Sequence, residues 1–259
     1  MNSKLHYIDV GSGEPVLFIH GLAGDHTAWI PYIEKFKNDY RVIAFDNLGA
    51  GRSFPAHKGL SMADLAESTL ELLDKLNIDA CHVVGRSMGG AVVQEMVRMQ
   101  PKRVKSMILT ASLAKLDPFG KRLIENMRDL VLWGRSWDEW TRMSSPYFIS
   151  SKFFNEQQEQ VMKVERLLAD ESRDRESYVN LANGVLNFDS TSWLGSIKTP
   201  TLIMAGGLDP ICSMMSTQWM IDRLPHAKVS IFEECSHFFL MEEPIKSMQL
   251  IQDWLQEQN

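Results

Sequence analysis

Short apolar runs alternate along the chain with longer stretches whose apolar positions recur every three to four residues. The runs are typical of buried β-strands, and they lie at residues 16–19, 41–45, 81–84, 104–110, 201–204 and 228–232. Between them the spacing predicts helices. Ser61 can cap one of these helices, and Pro101 ends another that begins near Met88. Buried strands separated by helices predict an α/β fold with a mainly parallel sheet covered on both faces.

Two segments depart from this alternation. The run 5–10 precedes a glycine-rich turn, and we expect it to form an antiparallel hairpin with the next strand. Residues 113–190 contain no convincing buried strand, so we expect a helical cap insertion there, within a core of residues 1–112 and 191–259. The aromatic residues of the insertion either pack on the main sheet or line an apolar site; they are Trp133, Trp137, Trp140, Phe148, Phe153 and Phe154.

Composition narrows the classes of function. The 259 residues include 27 basic and 33 acidic side chains, and the net charge of −6 argues against a nucleic-acid partner. No apolar run approaches the roughly 18 residues of a membrane span, and the N-terminus lacks the apolar stretch of a signal peptide. We therefore expect a soluble, cytoplasmic protein with no membrane partner. The cysteines Cys81, Cys212 and Cys235 form no C-x-x-C pair, which favours buried free thiols over disulfides or a zinc site.

Residues 85–89, with the sequence GRSMG, match the G-x-S-x-G pattern that places a serine on a sharp turn between a strand and a helix. Glycines are expected two positions either side of Ser87, since strand and helix cross closely there. The pattern alone is also typical of an ordinary glycine-rich turn. A β-branched run at 82–84 and a helix-forming run at 91–96 supply the required strand, turn and helix, so we predict that Ser87 is a nucleophile.

A serine nucleophile needs a histidine base and a group that orients it. His237 follows the last predicted strand and precedes the final helix, so it is expected at the same sheet edge as Ser87. His82 lies before or within a strand, and His6 is near the N-terminus. The remaining polar-loop histidines are expected to be exposed to solvent; they are His26, His57 and His226.

The acid of such a triad is expected between the serine and the histidine in chain order. Asp209 satisfies this order and lies just beyond the strand at 201–204. Taken alone it could be an ordinary turn aspartate, because Asp-Pro after paired glycines is a common loop composition. Asp117, which follows the strand that ends at Thr110, is the rival candidate for the triad acid.

Backbone N–H groups are well suited to stabilise the oxyanion formed when a serine attacks a carbonyl, because they are fixed before the charge develops. The N–H of Leu22, beyond the first core strand, and that of Met88, at the positive end of the elbow helix, are the candidates. His20 is expected to hold the loop by hydrogen bonding.

Together these residues resemble the α/β-hydrolase superfamily, in the group of small bacterial esterases, enol-lactonases and cofactor-free haloperoxidases. The resemblance covers nearly the whole chain and implies an eight-stranded, mostly parallel sheet with a cap inserted after the sixth strand. Its motifs are the turn HGL at 20–22, the loop DNLGAGRS at 46–53, which is similar to the family's D-x-x-G-x-G-x-S, the Ser87 elbow with an extra Gly90, GGLDP at 206–210, and SH at 236–237.

Arg86 departs from the family pattern, which often has histidine, asparagine or an apolar residue before the serine. A permanent cation needs a partner if it is buried. We expect an internal ion pair, with Asp46 as the candidate acid; binding of an anionic substrate group is the alternative. With an internal pair, Arg86→Met lowers stability more than specificity.

These elements predict a serine hydrolase that cleaves carboxylic esters of small, largely apolar acyl compounds through an acyl-enzyme, with no metal or organic cofactor. The resemblance leaves lactones, thioesters and carbon–carbon bonds of vinylogous diketones open. A chain of this length favours short to medium acyl groups. A second hypothesis is a hydrolase-like signalling receptor with slow turnover. A binding module without catalysis is disfavoured, because all three triad residue types are present. The oligomeric state stays open.

Overall fold

The computed structural model describes residues 5–53 and 55–258. Within these residues, seven strands form one sheet: β1 (Tyr7–Val10), β2 (Pro15–Ile19), β3 (Arg41–Phe45), β4 (Cys81–Arg86), β5 (Val104–Thr110), β6 (Thr201–Gly206) and β7 (Lys228–Phe232). Their order across the sheet is β1-β3-β2-β4-β5-β6-β7, and every pair is parallel except β1 with β3. The predicted α/β class and mostly parallel sheet are confirmed.

Helices cover the sheet and form the long connection between β5 and β6. They are α1 (Ile30–Phe36), α2 (Met62–Lys75), α3 (Met88–Met99), α4 (Pro118–Leu132), α5 (Trp137–Phe148), α6 (Ser151–Glu156), α7 (Gln158–Leu168), α8 (Arg175–Asn187), α9 (Met214–Arg223), α10 (Phe239–Glu242) and α11 (Pro244–Glu257). The Ser61 side chain caps α2 as predicted, in a reciprocal capping box with Asp64. Within the described residues, no helix has the length and apolar character needed to cross a membrane.

The pairing of β1 differs from the prediction. β1 does not form a hairpin with β2 but runs antiparallel to β3, with Tyr7 opposite Phe45. Both edges of β2 are already used by the parallel strands β3 and β4, so the outer edge of β3 is the one left for β1. The turn that carries the chain across contains Gly11 at φ +80, where a Cβ would lie 2.3 Å from the carbonyl oxygen of Tyr40.

The strand count is also lower than the family pattern implied. The sheet has seven strands in the part of the chain that is described, and the long helical segment follows the fifth of them, β5. The predictions of eight strands and of an insertion after the sixth are wrong by one.

Alternate residues of the strands face two separate cores. Leu17 and Val83 pack in the larger core, which includes α2, α3 and the helices of residues 113–190. Val16 and Val84 face the smaller core, formed with α1 and α11. This two-sided burial explains why the strands are nearly continuous apolar runs, and it leaves the carboxyl edge of the sheet as the place where polar side chains gather.

The segment between β5 and β6 is helical, from α4 to α8. Its two ends meet, because Lys115 and Asp189 form an antiparallel bridge and the N–H of Ser190 donates a hydrogen bond of 2.8 Å to Ala114. Buried aromatic rings hold it together in edge-to-face contacts of 5.3–5.6 Å between ring centroids; they are Trp137, Trp140 and Tyr178. The division of the chain into a core domain and a cap domain stays a prediction.

Candidate active site

Ser87 makes the turn between β4 and α3 alone. Its backbone has φ +52 and ψ −119, a conformation that costs a non-glycine residue free energy and is tolerated where the surroundings fix it. The Ser87 N–H donates to the carbonyl of Thr110 at 2.9 Å, and the Ser87 carbonyl accepts from Gly90 at 2.9 Å. The side chain is thereby presented, partly exposed, at the carboxyl edge of the sheet.

The glycines around Ser87 are required by close packing of the elbow. A Cβ on Gly85 would lie 2.6 Å from the carbonyl oxygen of Gly89, and one on Gly89 would lie 2.3 Å from that of Ile19. A Cβ on Gly90 would lie 2.1 Å from Ser112 Oγ. Each distance is too short for real atoms, so strand and helix reach this approach only with hydrogen at the three positions.

The loops after β6 and β7 bring Asp209 and His237 together, and both are buried. His237 Nδ1 lies 2.7 Å from Asp209 Oδ2. The other carboxylate oxygen accepts the N–H groups of Ile211 at 2.8 Å and Cys212 at 2.9 Å, which fixes its orientation. Since a carboxylate only accepts, Nδ1 carries the proton of the neutral ring and Nε2 keeps a lone pair, the form required of a general base.

Asp117, the rival candidate for the triad acid, forms its hydrogen bonds with other groups. Its side chain caps α4 by accepting the N–H groups of Phe119 at 2.8 Å and Gly120 at 3.0 Å. The second oxygen accepts a short hydrogen bond from Ser213 Oγ. Of the two aspartates, Asp209 is the one hydrogen-bonded to His237.

Ser87 lies at the same edge without completing a hydrogen-bonded chain. Among the described residues, no hydrogen bond joins Ser87 Oγ to His237; such contacts are often loose before a substrate binds. The thiol of Cys212 interacts with both Asp209 and Ser87. Burial raises the pKa of its thiol well above the ordinary value, Asp209 adds to the rise, and the side chain of Ser87 opposes it. All three cysteines are buried and free, as predicted.

The loop after β2 passes directly over the elbow. A Cβ on Gly21 would lie 3.1 Å from Ser87 Cβ and 3.7 Å from its Oγ. His20 Nε2 accepts the N–H of Asn47 at 3.0 Å, so Nδ1 is the protonated nitrogen, and it donates to the Gly21 carbonyl at 2.8 Å. Burial lowers the pKa of His20, which favours the same neutral ring. His20 thus holds this loop by hydrogen bonding.

The two predicted oxyanion donors flank this close approach. Leu22 directly follows Gly21, and Met88 is the first residue of α3. Within the described part of the chain, neither the N–H of Leu22 nor that of Met88 has a hydrogen-bond acceptor. The N–H of Met88 also belongs to the positive end of a helix, where negative charge is stabilised.

The sequence missed the role of His26. It was expected to be exposed, but it is buried, and its Nδ1 lies 2.7 Å from Asp46 Oδ1. The same oxygen accepts the N–H of His26 at 2.8 Å, and Oδ2 accepts that of Arg52 at 2.9 Å. Asp46 organises its own loop, and nothing local to His26 signals a partner twenty residues away.

The predicted ion pair between Arg86 and Asp46 does not form, and the Asp46 carboxylate instead accepts hydrogen bonds from His26 and Arg52. Among the described residues, Arg86 forms neither a salt bridge nor a hydrogen bond, and its Nε is buried without an acceptor. Its guanidinium instead covers the ring of Phe238, with Cζ 4.1 Å from the ring centroid. Burial lowers the pKa of Arg86 to about 10.

The helical segment contributes Phe148, the last residue of α5, to the site. Its ring is stacked on Phe238, with centroids 4.9 Å apart and planes 4° from parallel, and its centroid lies 6.1 Å from that of His237. The Phe238 N–H donates to the Phe148 carbonyl at 2.8 Å. This packing covers one side of the loop that carries His237 with an apolar wall.

Two groups of side chains in the described residues could offer ligand atoms to a metal ion, with the atoms of each group within 4.8 Å of one another. They are His6, His26 and Asp46, and Asp209, Cys212 and His237. In each group the histidine nitrogen and a carboxylate oxygen already share a hydrogen bond of 2.7 Å. A metal would have to displace that proton, and the hydrolytic chemistry open to the second group does not require one.

Comparison with known proteins shows the family to which the chain belongs. The chain is 29% identical over 244 residues to 3-oxoadipate enol-lactonase 1 of Acinetobacter baylyi, covering 91% of this chain and 86% of the relative. It is 28% identical over 284 residues to proline iminopeptidase of Clostridioides difficile, covering 97% and 94%. A thermophilic esterase from Thermogutta terrifontis has a similar structure, with a TM-score of 0.86, 25% identity and coverage of 99% and 94%. The sequence profile of the α/β hydrolase fold matches residues 14–244, and the chain is a member of that hydrolase family.

Proposed function

We propose that the protein is a serine hydrolase that cleaves carboxylic esters, lactones or thioesters of small acyl compounds through an acyl-enzyme. The observation that carries the proposal is the buried Asp209–His237 hydrogen bond of 2.7 Å at the edge where the strained Ser87 turn lies. The relatives and neighbours named above include a lactonase, a peptidase and an esterase, which supports acyl transfer as the reaction type.

In the proposed first step, rotation of the Ser87 side chain brings Oγ to His237 Nε2, which takes its proton as Oγ attacks the carbonyl. The imidazolium is stabilised by the Asp209 carboxylate, whose two backbone hydrogen bonds keep it in place. The N–H groups of Leu22 and Met88 receive the oxyanion. His237 then returns the proton to the leaving alcohol, and a water molecule activated by the same imidazole releases the acyl group.

A fluorophosphonate probe followed by peptide mass mapping tests the nucleophile. We expect one adduct, on the peptide that contains Ser87, and none in Ser87→Ala. The same substitution should lower ester hydrolysis by about 10⁵-fold or more. Modification of any other peptide would refute the assignment.

An ester series of increasing acyl length tests the substrate class. We expect acetyl and butyryl esters to be cleaved more efficiently than the octanoyl ester, because a chain of 259 residues leaves little room for a long acyl tunnel. A steep preference for the octanoyl ester would contradict a small-acyl site. Negligible turnover of every ester, with a ligand that destabilises the fold, would favour the receptor hypothesis.

A further inference from the structure

Arg86 is a charged side chain without a charged partner at the edge of the candidate active site. No carboxylate oxygen of a described residue lies within salt-bridge distance of it, and its buried Nε has no acceptor. Asp209 is close enough to act on it electrostatically, but that carboxylate is already hydrogen-bonded to His237 and to two backbone amides. The charge of Arg86 is therefore available to something outside the described protein.

The existing contact of Arg86 satisfies only part of its bonding capacity. Its Cζ lies 4.1 Å from the Phe238 centroid, a cation–π contact that stabilises the charge but supplies no acceptor oxygen. Its N–H donors lie in the plane of the group, where they match the two oxygens of a carboxylate. Although burial lowers the pKa of Arg86 to about 10, the group stays protonated near neutral pH. The side chain as a whole is partly exposed, as that of Ser87 is.

The position of Arg86 in the chain ties it to the reacting groups. Arg86 is bonded directly to Ser87, and consecutive Cα atoms are about 3.8 Å apart. Phe238, the ring it covers, directly follows His237. An anion held by this guanidinium would therefore lie within the length of one small molecule from both Ser87 and His237.

We propose that Arg86 binds a carboxylate carried by the substrate, so that the enzyme prefers short esters or lactones with a free carboxylate a few carbons from the scissile bond. The proposal rests on the serine hydrolase function above. It replaces the predicted internal ion pair with an ion pair that forms when the substrate binds. Arg86 is then a specificity-determining residue, and its guanidinium takes no part in bond cleavage.

Two matched ester pairs test the preference. Monomethyl glutarate and methyl pentanoate have acyl chains of five carbons and differ by a carboxylate on the acyl side; 4-acetoxybutanoate and butyl acetate differ in the same way on the alcohol side. We expect the wild-type protein to favour the charged member of at least one pair. Arg86→Met should lower the ratio of kcat/KM values, charged over neutral, by about 10- to 100-fold, mainly through KM.

Further variants separate charge from packing. Arg86→Lys keeps the charge without the planar fork and should recover part of the ratio, whereas Arg86→Gln should not. Arg122→Met is the matched control, because Arg122 is an exposed side chain paired with Glu125 and should leave the ratio unchanged. Equal losses on charged and neutral esters in Arg86→Met and Arg86→Gln would show a structural role and overturn the proposal.

Equilibrium binding distinguishes failure of this inference from failure of the proposed function. Calorimetry on Ser87→Ala should detect monomethyl glutarate, and binding should be lost when Arg86→Gln is added. If Ser87-dependent hydrolysis occurs but neither ratio nor binding depends on Arg86, only the carboxylate site is wrong. If no ester is cleaved and Ser87 takes no fluorophosphonate, the hydrolase function is wrong, and the binding measurement still decides the carboxylate site.

Discussion

Two buried histidine–aspartate pairs in the described residues share the same short hydrogen-bond distance. His26 and His237 each bring Nδ1 to 2.7 Å from a carboxylate oxygen, of Asp46 and Asp209 respectively. The ring of His26 meets the edge of another imidazole, with centroids 4.8 Å apart, whereas the loop of His237 lies at the sheet edge that also presents the strained serine turn. The comparison teaches that such a pair alone does not mark a catalytic site, and that a neighbouring nucleophile is what makes it a candidate for catalysis.

The largest expected difference between the pairs is in turnover. Asp209→Asn should lower kcat for a good ester by about 10⁴-fold, because the amide can donate to Nδ1 and stabilise the wrong tautomer of His237. Asp46→Asn is the matched control and should lower kcat by less than about tenfold. Steady-state kinetics on both variants tests this, with melting temperatures to verify folding. Similar losses of kcat in the two variants would remove the distinction.

The second effect is a loss of stability, which we expect when the His26–Asp46 pair is removed. Asp46→Ala leaves His26 and the N–H of Arg52 without their acceptor, and we expect it to lower the free energy of unfolding by about 3–5 kcal/mol. Denaturant titration measures this loss. Asp222→Ala, which removes an exposed carboxylate hydrogen-bonded to Gln218, is the control and should change stability by about 0.5 kcal/mol at most. A loss as small as the control's would contradict the structural role of Asp46.

The smallest effect concerns the ring contact that sets His26 apart. His6→Ala removes the edge-to-face partner of His26 but keeps the backbone hydrogen bond from residue 6 to Ser53 Oγ. We expect a loss of about 0.5–1 kcal/mol in unfolding free energy and no change in kcat. A decrease in kcat in this variant would mean that the His26 pair communicates with the active site.

The local pattern of apolar and polar residues was sufficient to predict the core strands and the place of Ser87, Asp209 and His237 after them. The strand, turn and helix around Ser87 can be read from residues that are adjacent in the chain, and parallel strands place their carboxyl ends at one edge, which is where Asp209 and His237 follow β6 and β7. The glycines beside the elbow were predicted from the same crossing of strand and helix that the short Cβ distances describe.

What could not be read from the sequence was the competition between distant groups for one partner. β1 pairs with β3 because β2 has no free edge, which depends on strands far along the chain. Asp46 pairs with His26 and with the backbone of its own loop, and Arg86 lies on Phe238 instead. The residue type shows which kind of partner a group requires, but only the full set of contacts shows which partner it has.

Because Lys115 and Asp189 form a bridge, the helical segment leaves the sheet and returns to it at the same place. For a flexible chain, closing a loop costs free energy only as the logarithm of its length, so doubling that length adds about 0.6 kcal/mol. Helices between Lys115 and Asp189 can therefore be added, shortened or exchanged while the register of the sheet stays intact. Changes in the helical segment are thereby separated from the sheet edge at which Ser87, Asp209 and His237 lie.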